Sequence, residues 1–222
     1  MKNNKNVLYI IAGANGSGKS TLANVLLKEK NLKFLNADEI AKEIAPGAIN
    51  SVPISAGKVY FQRLNDFFKN NYSFAVESTL SGNNILRIIK QARKQNYKII
   101  LIYSFLKDCT VCIERVKKRV KNGGHNVPEE DIVRRYYKSV VKFWDNYKNI
   151  VDEWTLFYNG YDYAPVVVTF GAGDNFEIIN EDVLKVNLNE LISKNKNSEI
   201  KNAKIVANLP YYISTPIIMK LL

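Results

Sequence analysis

The sequence predicts an α/β fold in which a mainly parallel sheet is flanked by helices. Apolar runs of strand length alternate with amphipathic helical segments from residue 7 to residue 170, which is the pattern of a parallel α/β domain. Residues 98–105 (KIILIYSF) form an almost continuous apolar run, and such runs are typical of strands buried on both faces. A glycine-rich stretch also separates the first strand from the first helix.

The first half of the chain contains segments expected to form three strands and four helices. The strands are short apolar runs at residues 7–11, 34–36 and 74–79. The helices repeat apolar side chains every three to four positions and cover residues 21–30, 40–44, 54–69 and 83–95. The side chains expected in the core are Val59, Leu64, Phe67 and Phe68 of the third helix and Ile85, Ile88, Ile89 and Ala92 of the fourth.

The second half continues with the long apolar strand and two further helices. Asp108 is placed to cap a helix that runs to about residue 121, and Pro128 opens the next helix. Between them, residues 122–126 (NGGHN) have the composition of a mobile loop. Strands at residues 154–158 and 165–170 complete the unit. Along the second helix an apolar stripe is expected at Ile132, Tyr136, Val140 and Trp144, while Arg134, Lys138 and Lys142 line another face.

Composition and charge narrow the functional class. The chain has 222 residues, of which 46% are apolar, so it can build a sizeable core. No signal-like segment precedes the first strand and no apolar run reaches the ~18 residues of a membrane span, so a cytoplasmic protein without a membrane partner is expected. The net charge of +11 lies entirely in residues 1–173, because the six lysines and six acidic residues after them cancel. A basic body suits a nucleotide, a phosphorylated sugar or a nucleic acid.

The two cysteines, Cys109 and Cys112, form a C-x-x-C motif after the long apolar strand. A redox role is one reading of this spacing. Against it, the pair falls where a helix is needed, so ordinary helix residues are the favoured interpretation. With His125 as the sole histidine, the ligands are too few for a structural zinc site.

The central motif is GANGSGKS at residues 13–20, which has the form GxxxxGKS. This is the phosphate-binding loop of P-loop nucleotide enzymes, in which backbone N–H groups and a helix N-terminus surround an anion. Lys19 is expected to reach the β- and γ-phosphates of ATP, and the Ser20 hydroxyl is expected to bind Mg2+. The residues predicted to bind the nucleotide are Gly13, Ala14, Asn15, Gly16, Ser17, Gly18, Lys19, Ser20 and Thr21.

Polar residues follow two further strands and are expected to meet the loop at one sheet edge, because ligands bind at the carboxyl ends of parallel strands. Asp38 follows the second strand and is the candidate base for an acceptor hydroxyl. The alternative is that Asp38 only caps the helix beginning beside it. Glu77 and Thr79 end the third strand and are candidate acceptor-binding groups. Their alternative reading is an ordinary polar strand terminus.

Arginines flank the glycine-rich loop of residues 122–126. Arg115 and Arg119 lie four apart on one predicted helix, and Arg134 and Arg135 lie on the next. A helix–loop–helix of this kind resembles a lid that brings cations to a transferred phosphoryl group. For any single arginine, a solvated basic face is the alternative. His125 is expected to be a polar loop residue rather than a catalytic one.

Taken together, residues 1–170 resemble the zeta toxin family and its chromosomal zeta-like kinases. The resemblance lies in GANGSGKST, NADEIA, FAVESTLSG, GGHNVPEEDIVRRY, FWDNY and DEW. It implies a kinase that uses ATP to phosphorylate UDP-N-acetylglucosamine on the 3′-hydroxyl of the sugar. By position, Lys19 and Ser20 would hold ATP and Mg2+, and Asp38 would be the base. The amino sugar would contact Glu77 and Thr79, and Arg119 and Arg134 would stabilise the transferred phosphoryl group.

One position departs from that family, and one expected partner has no signature in the sequence. Where the toxins have an arginine two residues after the threonine, this chain has Ser81, which leaves the identity of the acceptor open. Arg115 and Arg135 are assigned to the acceptor side with Glu77 and Thr79. Inhibition by an antitoxin protein is a property of the family, and the resemblance implies such a partner.

Residues 174–222 resemble a different family, the rRNA adenine dimethyltransferases. The resemblance lies in residues 180–185 (NEDVLK) and above all in residues 208–212 (NLPYY). In that family the second segment grips a flipped adenine, on which the tyrosine stacks. The glycine-rich loop for S-adenosylmethionine would lie upstream, where this chain has a P-loop domain. We therefore expect a kinase domain at 1–173 followed by a truncated, Rossmann-like fragment at 174–222 that is inert and poorly packed.

Three functions compete at this point. The first is an ATP-dependent P-loop kinase acting on a small anionic acceptor such as a nucleotide sugar. The second is a nucleic-acid-directed protein, either an RNA-end kinase or a relative of the rRNA methyltransferases. RNA is the less favoured partner because the cofactor loop is missing. The third is a nucleotide-binding module without turnover.

Overall fold

The computed structural model describes residues 5–48, 51–160 and 166–173. The methyltransferase-like tail from residue 174 onwards, with its expected poor packing, lies outside the described residues. Within the described ranges, no helix is both long enough and apolar enough to cross a membrane.

The described residues form a six-stranded sheet in the order β2-β3-β1-β4-β5-β6. All neighbouring strands are parallel except β5 and β6, which are antiparallel. Because β1 lies between β3 and β4, the loop after β1 opens between two neighbouring strand ends. The strands are β1 (Val7–Ala12), β2 (Lys33–Leu35), β3 (Phe74–Ser78), β4 (Lys98–Phe105), β5 (Glu153–Tyr158) and β6 (Val166–Gly171).

Helices connect the parallel strands, as the alternating pattern predicts. Asp108 caps its helix, since its side chain accepts hydrogen bonds from the Thr110 and Val111 amides at 2.8 and 3.3 Å. Within the described ranges the helices are α1 (Lys19–Lys30), α2 (Ala37–Ile44), α3 (Pro53–Lys69), α4 (Asn84–Lys94), α5 (Cys109–Lys121), α6 (Glu129–Lys142) and α7 (Lys148–Ile150), and a π-helical turn (Phe143–Tyr147) joins α6 to α7.

The main core packs α3 and α4 against the sheet. All four side chains expected from the periodicity of α4 are buried, whereas in α3 Leu64 and Phe68 are buried and Val59 and Phe67 only partly so. Phe68 meets Phe74 and Tyr97 edge-on at 5.2 and 5.4 Å. Each such pair contributes about 0.5–1.5 kcal/mol beyond area burial. This core fixes β3, which carries Glu77 at its carboxyl end.

The stripe predicted along α6 is partly wrong. Ile132 is buried as expected, but Val140 and Trp144 are only partly buried, and Phe143 and Tyr147 fill the core instead. The cause is the step of four residues in the predicted stripe, which drifts off one face of a helix that has 3.6 residues per turn. Positions 132, 139 and 143 follow the helical period, and Ile132, Ser139 and Phe143 are buried.

Lys142, predicted on a different face of α6 from the apolar stripe, binds the loop after β3. Its Nζ donates to the Ser81 and Gly82 carbonyls at 3.2 and 3.1 Å and to Asn83 Oδ1 at 2.9 Å. Tyr147 also donates its hydroxyl to the Gly82 carbonyl at 3.3 Å. The end of α6 and the π-helical turn thus hold the segment that follows Glu77 and Thr79.

Candidate active site

The glycine-rich loop lies between β1 and α1, as the motif predicts. Gly13 and Gly16 have φ angles of 142° and 80°, which favour glycine. A Cβ atom on Gly16 would lie only 2.5 Å from the Cys112 carbonyl oxygen of α5. The loop therefore packs directly on α5, and any side chain at Gly16 would push the two apart.

The backbone of this loop offers unused hydrogen-bond donors. The amides of Gly16, Gly18, Lys19 and Ser20 donate to no other described residue, whereas the Ser17 amide donates to the Ala14 carbonyl at 3.2 Å. The Ser17 hydroxyl is also buried and has no hydrogen-bond partner among the described residues. Unpaired donors at a helix N-terminus are the expected features of an anion site.

Lys19 is buried beside the loop and connects it to β3. Its Nζ donates to the Ala14 carbonyl at 2.8 Å and lies 3.8 Å from Glu77 Oε1. Burial lowers the pKa of Lys19, and the nearby Glu77 carboxylate partly opposes that change. A phosphate would supply the further negative charge that this desolvated ammonium group lacks.

Glu77 is the point at which three strand ends meet. Its Oε2 accepts hydrogen bonds from Ser20 Oγ at 3.3 Å and Asn36 Nδ2 at 3.0 Å. Ser20 follows β1, Asn36 follows β2 and Glu77 ends β3, so the predicted convergence of these strand ends is present. In this structure the Glu77 carboxylate contacts Lys19 and Ser20, which belong to the predicted nucleotide site.

Asn36, and not Asp38, caps helix α2. Asn36 Oδ1 accepts from the Asp38 amide at 2.8 Å and the Glu39 amide at 3.3 Å. The alternative interpretation of Asp38 as the cap is therefore wrong. Asp38 is exposed in the first turn, and its carboxylate accepts no hydrogen bond from another described residue. The sequence signal for the true cap was Asn36 itself, one of the preferred cap residues, placed directly after the short strand.

A cleft of about 400 Å³ lies beside Asp38 and Glu77. Helix α3 supplies an apolar wall, on which Tyr60 and Phe61 meet edge-on at 5.6 Å. His125 also lines this cleft, so the loop between α5 and α6 reaches the same space. Described residues that line it include Asp38, Tyr60, Phe61, Glu77, Asn84 and His125.

Thr79 directly follows Ser78, which lines this cleft. Its hydroxyl pairs with that of Ser81 at a distance of 2.7 Å, so the residue that departs from the zeta toxin pattern contacts the predicted acceptor-binding threonine. The intervening Leu80 has a φ angle of 56° and is fully buried. The turn therefore presents two linked hydroxyl groups where the toxins have a threonine and an arginine.

The four predicted lid arginines have different surroundings. Arg135 donates to Asn15 Oδ1 at 3.3 Å and to Asp131 Oδ2 at 3.2 Å, which ties α6 to the glycine loop. Arg134 is exposed and pairs with Asp131 Oδ1 at 2.5 Å. Both contacts lower the pKa of Asp131, with the hydrogen bond from Arg134 as the larger cause. Arg135, rather than Arg134, contacts the predicted nucleotide site in this structure.

The remaining two arginines lie on α5. Arg119 donates to the His125 carbonyl at 2.7 Å, and its buried Nε has no partner among the described residues. Its charge also acts on Lys19 and helps to lower the pKa of that residue. Arg115 is half-buried one turn earlier, and its charge acts on Cys112. Arg119 is thus the member of this pair that affects the loop lysine.

The C-x-x-C pair has the properties of ordinary helix residues. Cys109 and Cys112 are both free thiols in the first turn of α5. Cys112 is fully buried, and burial raises the pKa of its thiol to about 11. Reactive cysteines need a lowered pKa, so this thiol is unsuited to redox chemistry. Among the described residues there is also no cluster of three or more His, Cys, Asp or Glu side chains that could hold a metal ion.

Comparison with known protein families identifies the part of the chain that contains this loop. A family model described as an AAA domain matches residues 8–139, which is more than half of the chain. The chain belongs to this AAA domain family. An uncharacterised protein of Haemophilus influenzae is 34% identical over 133 residues, which make up 60% of this chain and 93% of that relative.

Solved structures show the fold of this AAA domain protein. The complex of AvrRxo1-ORF1 with AvrRxo1-ORF2 and ATP gives a TM-score of 0.63 at 16% identity, covering 86% of this chain and 64% of that one. The PezAT chromosomal toxin–antitoxin system of Streptococcus pneumoniae gives 0.53 at 14% identity, covering 75% and 72%. At these identities the similarity establishes the fold, which is that of a P-loop kinase. The predicted fold class is thereby confirmed.

The end of the AAA domain protein matches a second family. The model for ribosomal RNA adenine dimethylase matches residues 164–222. Ribosomal RNA small subunit methyltransferase A of Alkaliphilus oremlandii is 56% identical over 54 residues, which are 24% of this chain but 18% of that relative. The predicted resemblance of the tail is confirmed. The match begins before β6, so the antiparallel edge strand belongs to the methyltransferase-like part of the sequence.

Proposed function

We propose that this AAA domain protein is a kinase that transfers the γ-phosphoryl group of ATP to a hydroxyl of a small anionic acceptor, with UDP-N-acetylglucosamine as the first candidate. The observation that carries this proposal is the shared cleft of Asp38 and Glu77. Glu77 contacts Lys19 and Ser20 of the glycine loop, so one cleft joins the predicted base to the predicted nucleotide site.

The described residues fit ATP and Mg2+. The unpaired loop amides and the Ser17 hydroxyl have no hydrogen-bond partners among the described residues, so they can donate hydrogen bonds to phosphate oxygens. Ser20 would hold Mg2+, and its hydroxyl with the neighbouring Glu77 carboxylate provides the oxygen donors that this ion prefers. Bound Mg2+ would neutralise charge on the phosphates during transfer. Gly13 to Thr21 together form the proposed nucleotide site.

Each remaining predicted residue has a proposed role in the transfer. Asp38 takes the proton of the acceptor hydroxyl, for which an exposed carboxylate on the rim of the cleft is suited. Lys19, Arg119 and Arg134 stabilise the transferred phosphoryl group. Glu77, Thr79, Arg115 and Arg135 belong to the acceptor side. For Glu77 and Arg135 this requires a change of partners, because both now contact the glycine loop region.

The acceptor is proposed from the zeta-like motifs and from the shape of the cleft. An apolar wall with Tyr60 and Phe61 suits the face of a sugar ring or base. We also propose an antitoxin-like protein partner. A toxin–antitoxin system and a two-protein complex are among the proteins with this fold.

A transfer assay tests this function. Purified full-length protein is incubated with ATP, Mg2+ and either UDP-N-acetylglucosamine or a panel of nucleotide sugars, and the products are analysed by mass spectrometry. One added phosphate on a nucleotide sugar, absent with Lys19→Ala, is the expected result. If ATP binds tightly but no acceptor gains phosphate, the protein is a binding module without turnover.

A nucleic-acid-directed function is the second candidate, and the match of residues 164–222 to the dimethylase family favours it. The chain covers only 18% of the methyltransferase relative, so we propose that residues 174–222 are an inert fragment. Labelled S-adenosylmethionine and rRNA test the point directly. Methyl label appearing in the RNA would overturn the assignment of the segment as inert, and phosphate label at RNA ends would favour an RNA kinase.

A further inference from the structure

Two strands beyond the glycine loop each send a side chain to the same backbone oxygen. Ser104 near the end of β4 donates its hydroxyl to the Ser17 carbonyl at 2.6 Å, and Asn159 just after β5 donates its Nδ2 to the same oxygen at 2.9 Å. Ser17 and Ser104 are fully buried, and Asn159 is 9% exposed. A buried carbonyl with two side-chain donors is strongly fixed in direction.

The orientation of the Ser17 carbonyl determines the direction in which the Gly18 N–H points. The peptide between Ser17 and Gly18 is trans, like the other described peptides, so its C=O and N–H groups point to opposite sides. Holding the Ser17 oxygen toward Ser104 and Asn159 therefore turns the Gly18 N–H away from those side chains. That N–H is among the loop amides with no acceptor in the described residues.

Gly18 and Asn159 also fit each other sterically. Gly18 has a φ angle of 92°, and a Cβ atom there would lie 1.7 Å from Asn159 Nδ2. The absence of a side chain at Gly18 is what lets the Asn159 amide reach the Ser17 carbonyl. The third glycine of the motif therefore serves a second purpose, since it makes room for a donor from β5.

We propose that Ser104 and Asn159 are positioning residues that preset the Ser17–Gly18 peptide so that its N–H faces the phosphates of the nucleotide. This inference rests on the proposed nucleotide site, but not on the proposed acceptor or on phosphoryl transfer. Neither residue belongs to the GxxxxGKS motif or follows it closely in sequence. Their contribution is to the affinity for ATP, and acceptor recognition is not affected.

Titration calorimetry of the full chain with ATP·Mg2+ and with tripolyphosphate tests the proposal. Because one buried hydrogen bond is lost in each case, Asn159→Ala and Ser104→Ala should each raise the Kd by about five- to tenfold. Asn159→Asp has the same shape but places a carboxylate against the Ser17 oxygen, and it should weaken binding further than alanine does. In the transfer assay, KM for ATP should rise while KM for the acceptor stays unchanged.

Ser139→Ala is the matched control, because Ser139 is also a fully buried serine whose hydroxyl pairs with that of Tyr103 at 2.9 Å. It should lower thermal stability about as much as Ser104→Ala while leaving the Kd unchanged. Equal binding of both probes by wild type and Asn159→Ala, including no binding by either, would overturn the proposal. Binding that depends on Asn159 in a protein that transfers no phosphate would support the proposal and defeat the kinase function instead.

Discussion

The glycine loop and the cleft beside it lie at the same edge of the sheet, but they are held in place to different extents. In the loop, the Ser17 carbonyl and the Lys19 ammonium are buried and contact groups from other parts of the sheet or loop. At the cleft, Asp38 is exposed and its carboxylate has no hydrogen-bond donor among the described residues.

This difference indicates which half of the site is preformed. Fixed dipoles aimed at an anion require no reorganisation when the anion arrives, and the loop has this property. The cleft lies beside Asp38 on α2 and His125 on the loop between α5 and α6, so its shape depends on where α2 and that loop lie. We therefore expect changes in the loop to affect nucleotide binding and transfer together, and changes at the cleft to affect transfer alone.

The largest effect is expected from Lys19→Ala, which removes the loop cation that contacts both the Ala14 carbonyl and Glu77. Loss of a preorganised cation at the phosphates should lower kcat/KM by about a thousandfold, with weaker ATP binding. Steady-state kinetics and calorimetry measure the two quantities. Lys28→Ala, on the last turn of the same helix, is the control and should behave like wild type. Near-normal kinetics for Lys19→Ala would mean that the loop is not the donor site.

Asp38→Asn should distinguish phosphoryl transfer from nucleotide binding most clearly, because Asp38 lies at the cleft and not in the glycine loop. Because amide nitrogen cannot accept the hydroxyl proton, kcat should fall by about a hundredfold or more, while the Kd for ATP stays within twofold of wild type. The neighbouring Glu39→Gln, which changes an exposed carboxylate in the same helical turn, is the matched control. Transfer that survives both Asp38→Asn and Asp38→Ala would remove Asp38 as the base.

Local patterns in the sequence were sufficient to predict the elements and the loop. Residues 98–105 predicted a strand buried on both faces, and this strand is present as β4, although Ile100 and Ile102 are only partly buried. The spacing of Ile85, Ile88, Ile89 and Ala92 predicted the inner face of α4. The GxxxxGKS spacing predicted a turn between strand and helix because that chemistry is contained in eight consecutive residues. Features that depend on near neighbours in sequence are therefore recoverable from sequence.

Features that depend on strand order were not predicted. Ser104 and Asn159 reach Ser17 only because β4 and β5 lie on the same side of β1, and no pattern of apolar residues specifies that order. Asn36 was read as a strand residue, although it caps α2 and contacts Glu77. The π-helical turn likewise depends on how Phe143 and Tyr147 pack against the sheet. Single polar residues at strand ends are ambiguous until their neighbours are known.

Lys142→Met tests whether the loop after β3 belongs to the acceptor side. The change keeps the length of the side chain but removes its donations to the Ser81 and Gly82 carbonyls and to Asn83. We expect KM for the acceptor to rise about tenfold and stability to fall by about 1–2 kcal/mol, with ATP binding unchanged. Lys138→Met, at an exposed position one turn earlier on α6, is the control. A change in ATP affinity without a change in acceptor KM would assign this loop to the donor side.

The smallest effect is expected for alkylation of the Cys112 thiol. Cys112 lies where α5 packs against the glycine loop. Its thiol pKa is raised to about 11 by burial, so at pH 8 about one thiol in a thousand is ionised and alkylation is correspondingly slow. In a Cys109→Ser variant, iodoacetamide should leave the native protein unlabelled over an hour and label it fully in urea, as followed by mass spectrometry. Because the Cys112 carbonyl lies so close to Gly16, ATP·Mg2+ should slow labelling further if the loop and α5 move together.

The raised pKa of the Cys112 thiol belongs to the folded state. The contribution of this thiol to the free energy of unfolding is therefore complete below about pH 9 and is lost as the pH rises toward 11. Rapid native labelling at pH 8 would show that the packing of α5 on the loop opens readily, and the preformed character of the donor side would then be wrong.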